Sequence, residues 1–309
     1  MFIVAEIGAS HGGSLENALS LVDKAAEAGA DAVKFQCFEA EQMAIPGYVI
    51  QSGLWMGRGL IDLYRDAQTP KEWFPHLYAR AKEKSLVAFA SPFHADDVEF
   101  LQSIGNPIYK IASFELVDLE LISLVASTNR PVFISTGMAD QNEIERAILA
   151  AGKCDLTLLY CVSAYPTPLN KVNLLTMQAL AEYGKFGLSD HSIGSVVPVC
   201  ATALGASVIE KHICLDRDCL DGGFAMLPGE FKSMVDSVRD ASKILGAPRF
   251  GGDKTLRRSM YWARNIAKGE TITRDMIDVK RPALGRAPAF IADIIGTVSK
   301  GASINQPII

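Results

Sequence analysis

Eight short β-rich runs, each followed by a segment of helical periodicity, occupy residues 1–246 of the chain. A strand followed by a helix, repeated eight times, predicts the α/β fold of a (β/α)8 TIM barrel. The strand candidates are residues 2–7, 31–36, 87–91, 108–112, 132–135, 157–160, 186–189 and 207–211. The helix candidates lie between Ser14 and Gly29, at 71–84, 96–103, 119–127, 140–150, 174–182 and 196–204, and around 231–245.

Capping signals mark several of these helices. Ser14 is a good N-cap for the first helix, and Gly29 ends it. Asp140, with Glu143 three residues later, makes a capping box for a helix further along. The long insertion at residues 37–69 follows the second strand. As a βα loop it is expected on the face where TIM-barrel active sites lie.

The pattern changes after residue 246. Residues 246–252 are rich in Gly and Pro, and we take residues 247–258 as a linker. Short strand candidates at 260–266 and 277–280 then predict a small, mostly β domain over residues 259–309. A β domain of this size has a small core, so we expect it to pack against another surface.

The composition excludes several classes of protein. A formal net charge of −5 provides no general basic field for nucleic acid or an anionic membrane. Glu6 interrupts the apolar run at the N-terminus, which also lacks a basic segment, so no signal peptide is expected. The longest mostly apolar stretch, 196–209, is too short to span a bilayer. Six scattered cysteines suit a reducing compartment, and we expect a cytoplasmic protein.

Polar residues occur at or just beyond the C-terminal end of every predicted strand. In a parallel barrel these ends form one rim, so the pattern favours an enzyme site over a purely structural barrel. The residues are Glu6, Lys34, Gln36, Ser91, Lys110, Ser113, Ser135, Thr136, Tyr165, Ser189, Asp190, His191, Glu210 and His212.

The residue types at this rim indicate a small, highly anionic ligand and a metal ion. Two lysines and several hydroxyls suit a phosphate joined to a carboxylate. His191 and His212 end the seventh and eighth strands, and neighbouring strands lie about 4.8 Å apart, so both imidazoles can share one divalent ion. Two histidines leave open positions, which favours a catalytic ion over a structural one.

Plainer interpretations exist for the same residues. A lysine at a strand end is often solvated or salt-bridged, and Glu6 could form a buried ion pair with Lys34. The two histidines could be hydrogen-bonded packing residues. His11, flanked by a glycine in the loop after the first strand, has no assigned role at this point, although its place on the catalytic face favours a function.

A set of motifs spread over nearly the whole chain resembles the sialic acid synthase family. The final segments also resemble that family's antifreeze-like (SAF) C-terminal domain. The motifs are AEIGASHGG (5–13), DAVKFQ (31–36), ASPF (90–93), YKIAS (109–113), ISTGM (134–138), YPTP (165–168), GLSDHS (187–192), IEKH (209–212), YWARNIAKGETIT (261–273) and KRPALG (280–285).

The resemblance implies that phosphoenolpyruvate condenses with an open-chain N-acetylated amino sugar and water, giving a nonulosonic acid and phosphate. The residues matching the family's phosphoenolpyruvate site are Lys34, Ser91, Lys110, Ser113, Ser135 and Ser189. Those matching its sugar site are Glu6, Gln36, Tyr165 and Asp221. His191 and His212 would bind Mn²⁺, with Mg²⁺ or Co²⁺ as alternatives, beside Glu210. The expected catalytic residues are Glu6, Lys34, Lys110 and Glu210, and either glutamate could assist proton transfer.

The same resemblance implies a partner chain and a sugar. Arg281 matches an arginine that reaches across a domain-swapped homodimer into the partner's site. Residues 52–73 and 109–118 most resemble pseudaminic acid synthases, whose sugar is 2,4-diacetamido-2,4,6-trideoxy-L-altrose. The chain departs from the family pattern around Asp221, which follows Cys219-Leu220 and precedes Gly222-Gly223. Two alternatives stay open: a neuraminate or legionaminate synthase using N-acetylmannosamine or a related hexose, and a catalytically inactive carbohydrate-binding barrel.

Overall fold

A closed barrel of eight parallel strands forms the first of two compact units in the computed structural model, which describes residues 1–309. The units are Met1–Gly246 and Ala247–Ile309. Each barrel strand pairs with the next in chain order, and β1 pairs with β8 to close the ring, which confirms the predicted TIM barrel. The strands are β1 (Phe2–Glu6), β2 (Ala32–Cys37), β3 (Val87–Pro92), β4 (Tyr109–Ile111), β5 (Val132–Ser135), β6 (Leu156–Cys161), β7 (Lys185–Asp190) and β8 (Val208–His212).

Ten α-helices belong to this unit. They are α1 (Leu15–Glu27), α2 (Ala40–Met43), α3 (Leu60–Ala67), α4 (Phe74–Glu83), α5 (Ala95–Ser103), α6 (Leu119–Ser127), α7 (Gln141–Ala151), α8 (Leu174–Ala179), α9 (Val196–Ala203) and α10 (Pro228–Leu245). The short helices α2 and α3 lie in the insertion after β2. None of the helices is both long and apolar enough to cross a membrane.

Local sequence explains where these helices begin. The predicted capping box is present: Asp140 Oδ1 accepts from Glu143 N–H at 2.9 Å, and Glu143 Oε2 accepts from Asp140 N–H at 2.9 Å. Helix α7 therefore begins one residue later than predicted. The prediction of one helix over 71–84 is wrong in detail, because a 3₁₀ turn (Lys71–Trp73) precedes α4. Pro75, which has no N–H to donate, lies in the first turn of α4, where none is needed.

An apolar layer inside the barrel lies directly beneath the polar rim. Its buried residues are Val4, Ala32, Phe89, Phe133, Leu159 and Val208. Side chains two residues apart on a strand point to the same side. The next layer towards the C-terminal mouth therefore contains Glu6, Lys34, Ser91, Ser135, Cys161 and Glu210. The apolar layer closes the barrel below, so the polar side chains project into a space open only at the mouth.

The second unit has its own small core. Strands β9 (Ser259–Trp262) and β10 (Ile277–Lys280) pair antiparallel. The strand predicted over 260–266 is too long, because beyond Trp262 the chain makes only an isolated bridge between Ile266 and Ala302. The buried core comprises Met260, Trp262, Ile266, Ile272, Met276, Ile277, Ile294 and Ile308.

Candidate active site

Four charged side chains are buried together inside the mouth of the barrel. They are Glu6 on β1, Lys34 on β2, Lys110 on β4 and Glu210 on β8, and none is more than 4% exposed. The strand register pairs Glu6 with Lys34 on one side and with His212 on the other. Because buried charges are stable only when compensated, the partners of each group decide what it can do.

Lys34 is compensated by the protein itself. Its Nζ lies 2.8 Å from Glu6 Oε2 and 3.8 Å from Glu210 Oε1, and it donates to Ser91 Oγ at 3.4 Å. Gln36 Nε2 donates to the other oxygen of Glu6 at 2.9 Å. Burial opposes the charge on Lys34, but Glu210 and Glu6 outweigh it and raise the pKa of this lysine. The ion pair expected between Glu6 and Lys34 is therefore present.

Lys110 makes no ion pair. Its Nζ donates only to the backbone oxygen of Ile111, at 2.9 Å. Burial lowers the pKa of Lys110, and the more distant charge of Glu210 only partly opposes this. Of the two lysines, Lys110 is the one whose ammonium is free to compensate an incoming anion.

Glu210 stays ionised and keeps one oxygen free. Its Oε1 accepts from Ser189 Oγ at 2.9 Å, whereas its Oε2 is buried without a hydrogen-bond partner. Burial alone would raise the pKa of this carboxyl, but Lys34 and Lys110 outweigh it and lower the pKa to about 2. At neutral pH the site therefore holds a carboxylate with an acceptor atom to spare.

Serine hydroxyls gather at the C-terminal ends of β4, β5 and β6. The Oγ atoms of Ser135 and Ser163 are buried without partners, and Ser113 Oγ accepts from Gly137 N–H at 3.2 Å, which leaves its proton to donate. A Cβ at Gly137 would collide with the Oγ atoms of Ser163 and Ser113, so only glycine lets these hydroxyls come together. Unpartnered hydroxyl donors of this kind suit an anionic oxygen group.

The two imidazoles face each other with a ring-centroid separation of 5.3 Å. His191 Nδ1 lies 3.2 Å from the backbone oxygen of Val162, and His212 Nδ1 lies 3.0 Å from Asp221 Oδ2. Oxygen atoms that can only accept place the proton on Nδ1 in both rings, which leaves both Nε2 lone pairs free. No group of three His, Cys, Asp or Glu ligands forms. The pair thus fits a divalent cation that takes its remaining ligands from water or substrate.

Asp221 holds two strand ends together behind His212. The Oδ2 atom that accepts from His212 also accepts from Ala9 N–H at 3.2 Å. Gly8 next to it has φ +47°, and a Cβ there would lie 2.7 Å from Asp221 Oδ2. Only glycine therefore allows the loop after β1 to approach this carboxylate so closely. Both of these bonds go to Oδ2, so Oδ1 of Asp221 takes no part in them.

Tyr165 covers the imidazole pair. Its ring lies 4.2 Å from the His191 ring, centroid to centroid, and Phe224 lies 4.7 Å from His212. Burial raises the pKa of Tyr165 well above its ordinary value, so the phenol stays protonated and can donate.

Two other predicted positions lie elsewhere. Arg281 belongs to the second unit, where it is exposed and its Nε donates to the backbone oxygen of Leu256 at 2.8 Å. His11 is fully buried: Nδ1 accepts from Gly13 N–H at 3.1 Å, and Nε2 lies 3.2 Å from Thr69 Oγ1. With both nitrogens bonded, His11 has a structural role in the loop after β1.

Two family models match consecutive parts of the chain. The model of the NeuB family matches residues 21–249, and that of the SAF domain matches residues 257–302. The chain belongs to the NeuB family. This membership confirms the resemblance seen in the motifs.

Similar proteins extend over nearly all of this NeuB-family protein. A pseudaminic acid synthase of Helicobacter pylori is 41% identical, covering 99% of this chain and 96% of the relative. One from Campylobacter jejuni is 39% identical, covering 96% and 91%. The crystal structure of N-acetylneuraminic acid synthetase from Leptospira borgpetersenii, in complex with citrate, has a TM-score of 0.75 and 34% identity, covering 82% and 87%.

The structure of this NeuB-family protein adds a carboxyl group that the sequence did not single out. Glu115 lies in a 3₁₀ turn after β4, within electrostatic reach of Lys110, and its Oε2 is buried without a partner. Burial raises the pKa of Glu115 to about 7, against the opposing effect of Lys110. A carboxyl that titrates near neutrality can donate or accept a proton in a reaction. The sequence offered one indication of this residue: Glu115 lies only two residues after Ser113, which was already expected in the site.

Proposed function

We propose that this protein joins phosphoenolpyruvate to an open-chain N-acetylated amino sugar, with water, to give a nonulosonic acid and phosphate. The sugar is 2,4-diacetamido-2,4,6-trideoxy-L-altrose and the product pseudaminic acid, in line with the relatives that carry that name. One observation supports the proposal most strongly. An unpaired buried ammonium, Lys110, and unpartnered serine hydroxyls share a mouth with two imidazoles whose Nε2 atoms are free.

Lys110 and the serine hydroxyls would hold phosphoenolpyruvate. Lys110 supplies the charge that Lys34 cannot, because Lys34 is already neutralised by Glu6. Ser113, Ser135 and Ser163 have protons to donate to phosphate or carboxylate oxygens. Ser91 and Ser189 serve a second purpose, since they contact Lys34 and Glu210 and keep those side chains in place. A ligand fixed in this way presents one face of its enol to the sugar.

The condensation includes two proton transfers in which carboxyl groups of the site can take part: one to the aldehyde oxygen and one from the attacking water. C3 of phosphoenolpyruvate attacks the sugar aldehyde, whose oxygen takes a proton to become a hydroxyl. Water then adds at C2 and loses a proton. The resulting hemiketal phosphate releases phosphate by cleavage of its C–O bond, and the C2 hydroxyl passes its proton to the departing phosphate as the ketone forms. Glu115 in its neutral form can donate the first proton. Glu210, ionised and with Oε2 free, can accept the second from water.

We propose a divalent cation, Mn²⁺ foremost and Mg²⁺ or Co²⁺ as alternatives, as the cofactor. His191 and His212 would hold it through their Nε2 atoms, while Val162 O and Asp221 fix the rings from behind. When bound there, the ion supplies Lewis-acid polarisation of the aldehyde carbonyl. Tyr165 and Phe224 shield the imidazoles from solvent and restrict the approach of the sugar.

We also propose that the working form is a domain-swapped homodimer in which Arg281 reaches the partner's sugar site. Charge complementarity supports this arrangement. Residues 247–309 contain eleven basic and five acidic residues, a net charge of +6, whereas residues 1–246 carry −11. Opposite charges on two units favour docking between them. Arg281 is exposed, so its guanidinium would be available to the sugar site of a partner chain.

Exposed apolar side chains at the mouth of the barrel further support the dimer. They lie on loops or helix starts after several strands, where the second unit of a partner chain could cover them. They are Ile45, Phe114, Val117, Met138, Leu169 and Ile193, each at least 57% exposed. The cytoplasm, which supplies phosphoenolpyruvate, is the compartment we propose for the reaction.

A phosphate-release assay tests the proposed reaction. The purified protein is incubated with Mn²⁺, phosphoenolpyruvate and one candidate hexose at a time, and phosphate is measured. We expect release only with the trideoxy diacetamido sugar. Release only with N-acetylmannosamine would replace the proposed sugar by that of a neuraminate synthase. No release with any sugar, together with retained sugar binding, would identify the inactive carbohydrate-binding barrel instead.

A further inference from the structure

The insertion between β2 and α4 contains a hairpin whose tip turns towards the site. Leu60 N–H donates to Tyr48 O at 2.9 Å, and Ile50 exchanges backbone bonds of 2.9 Å with Arg58 and Gly57. Residues 53–56 form the tip and are here called the hairpin tip. Trp55 is its least exposed residue, since the three others are exposed. Trp55 is thus the one residue of the hairpin tip that packs against the rest of the protein over much of its surface.

Two contacts attach the hairpin tip to the loop after β8. The indole Nε1–H of Trp55 donates to the backbone oxygen of Leu220 at 3.1 Å. The Leu54 methyl groups lie so close to Gly223 that a Cβ there would stand 3.1 and 3.2 Å from them. Gly223, the second glycine of the pair that departs from the family pattern after Asp221, is thus the residue against which Leu54 packs. The hairpin tip is joined to the loop that carries Asp221.

Trp55 extends the aromatic cover of the imidazoles by one more ring. Its centroid lies 5.7 Å from that of Tyr165 and 6.3 Å from that of Phe224, and these two rings are 5.2 Å apart. Tyr165 and Phe224 in turn contact His191 and His212. Trp55 is therefore one ring removed from the imidazoles.

The chemistry of these rings distinguishes between sugars. The indole N–H of Trp55 is already bonded to Leu220, so the side chain offers a ligand only carbon surface. A methyl group that packs on such a surface gains binding free energy by leaving water. A hydroxymethyl group there would lose its hydrogen bonds to water and find no replacement for them. An aromatic end wall therefore favours a sugar whose terminal carbon is deoxygenated.

We propose that Trp55 is a specificity-determining residue: it closes the end of the sugar site remote from the imidazoles and selects acetamido sugars that end in a methyl group. The inference rests on the proposed function, because it places the aldehyde at the imidazole pair. The hairpin tip positions Trp55, and the absence of a side chain at Gly223 leaves room for Leu54 of the same tip.

Steady-state kinetics of Trp55→Ala and Trp55→Phe test the selectivity. We expect Trp55→Ala to lower kcat/KM for the trideoxy diacetamido sugar about 10- to 100-fold relative to that for its counterpart with a terminal hydroxymethyl group, the range for loss of one apolar contact surface. The KM for phosphoenolpyruvate should stay within about twofold, because the anion seat is elsewhere. Trp55→Phe, which keeps an aromatic face, should recover most of the loss. Met56→Ala, one residue away on the exposed side of the hairpin tip, is the matched control and should behave as the wild type.

Binding of an unreactive sugar separates this inference from the proposed reaction. The alditol of the trideoxy sugar cannot react, and its binding is followed by intrinsic tryptophan fluorescence and calorimetry. We expect it to perturb the fluorescence of the wild type, to bind Trp55→Ala at least tenfold more weakly, and to bind Trp55→Phe nearly as the wild type. Such binding without phosphate release from the natural substrates would refute only the reaction. Equal alditol affinity in the wild type and Trp55→Ala, or equal losses for sugar and phosphoenolpyruvate, would overturn the role of Trp55.

Discussion

His212 and Asp221 are joined through Nδ1 and Oδ2 at 3.0 Å, and the same oxygen accepts from the backbone N–H of Ala9. One carboxylate thus ties the end of β8 to the loop after β1 and orients an imidazole whose other nitrogen makes no hydrogen bond within the protein. Arrangements of this kind set the affinity of a histidine for a metal ion without contacting the ion.

Substitution of Asp221 should therefore weaken the binding of Mn²⁺. We expect Asp221→Ala to reduce Mn²⁺ affinity about 10- to 100-fold, since the ring of His212 loses its orienting acceptor. Asp221→Asn, which keeps an acceptor oxygen, should lose less. Titration of the protein with Mn²⁺ by calorimetry measures both. Unchanged affinity in Asp221→Ala would show that the imidazole pair does not depend on this bond.

The two buried lysines should respond differently to the same substitution. Lys34→Met leaves Glu6 and Glu210 without their nearest cation, and we expect it to cost about 3–5 kcal/mol of folding free energy. Lys110→Met removes an ammonium that has no ion pair, so the cost should stay below about 1 kcal/mol.

Ligand affinity should show the reverse order of importance. Lys110→Met should weaken phosphoenolpyruvate binding at least about tenfold, the effect of losing one charge-assisted contact to phosphate. Denaturant unfolding and calorimetric titration of both variants provide the comparison. A large stability loss in Lys110→Met with unaltered ligand affinity would show that Lys110 is a structural ion-pair residue.

Glu115 should make folding stability depend on pH. Its pKa rises from 4.5 in the unfolded chain to about 7 in the folded protein, because burial disfavours the charged form. Because the pKa is higher in the folded protein, Glu115 contributes to folding stability fully below pH 4.5, and this contribution is lost as the pH rises through 7. The loss amounts to about 3 kcal/mol.

Comparison with Glu115→Gln isolates this effect. The variant cannot ionise at this position, so its stability relative to the wild type should rise between pH 5 and pH 8. Unfolding by denaturant at the two pH values measures the difference. If the difference between the proteins is the same at both, the folded pKa of Glu115 is not raised. The variant should also turn over more slowly, because it has no proton to donate.

The proposed dimer predicts complementation between two inactive variants. Arg281→Ala removes the arginine that a chain would place in its partner's site, whereas His191→Ala disables the barrel site of the chain that carries it. If sites combine residues of two chains, mixing the variants after reversible dissociation should restore about a quarter of wild-type activity, since mixed dimers contain one intact site. No recovery on mixing, although mixed dimers are demonstrated by mass, would place Arg281 outside the partner's site.

Much of the fold and of the rim could be predicted from the sequence, because both follow from local periodicity. The strand repeat placed Glu6, Lys34, Lys110 and Glu210 at one mouth, and the structure brings them together there. The difference between the two lysines could not be predicted, because it depends on distances between side chains of different strands. The Glu6–Lys34 contact at 2.8 Å compensates one lysine and leaves the other unpaired.

Residues on loops were harder to find for the same physical reason. Ser163 and Trp55 belong to the site because of contacts with residues distant in sequence. Ser163 lies close to Gly137, and Trp55 contacts Leu220 and Phe224. No periodic pattern marks such positions, because loops do not repeat. Glycines stand beside several of these positions: a Cβ at Gly8 or Gly137 would collide with Asp221 or Ser163, and a Cβ at Gly223 would lie 3.1 Å from a methyl group of Leu54.

Turnover in ¹⁸O-labelled water tests the proposed condensation most directly. Attack of water at C2 and release of phosphate by C–O cleavage leave every phosphate oxygen derived from phosphoenolpyruvate. We therefore predict that the phosphate formed with the sugar carries no ¹⁸O when its mass is measured, and that none forms without the sugar. Phosphate that carries ¹⁸O, or that appears at the same rate without the sugar, would contradict the condensation.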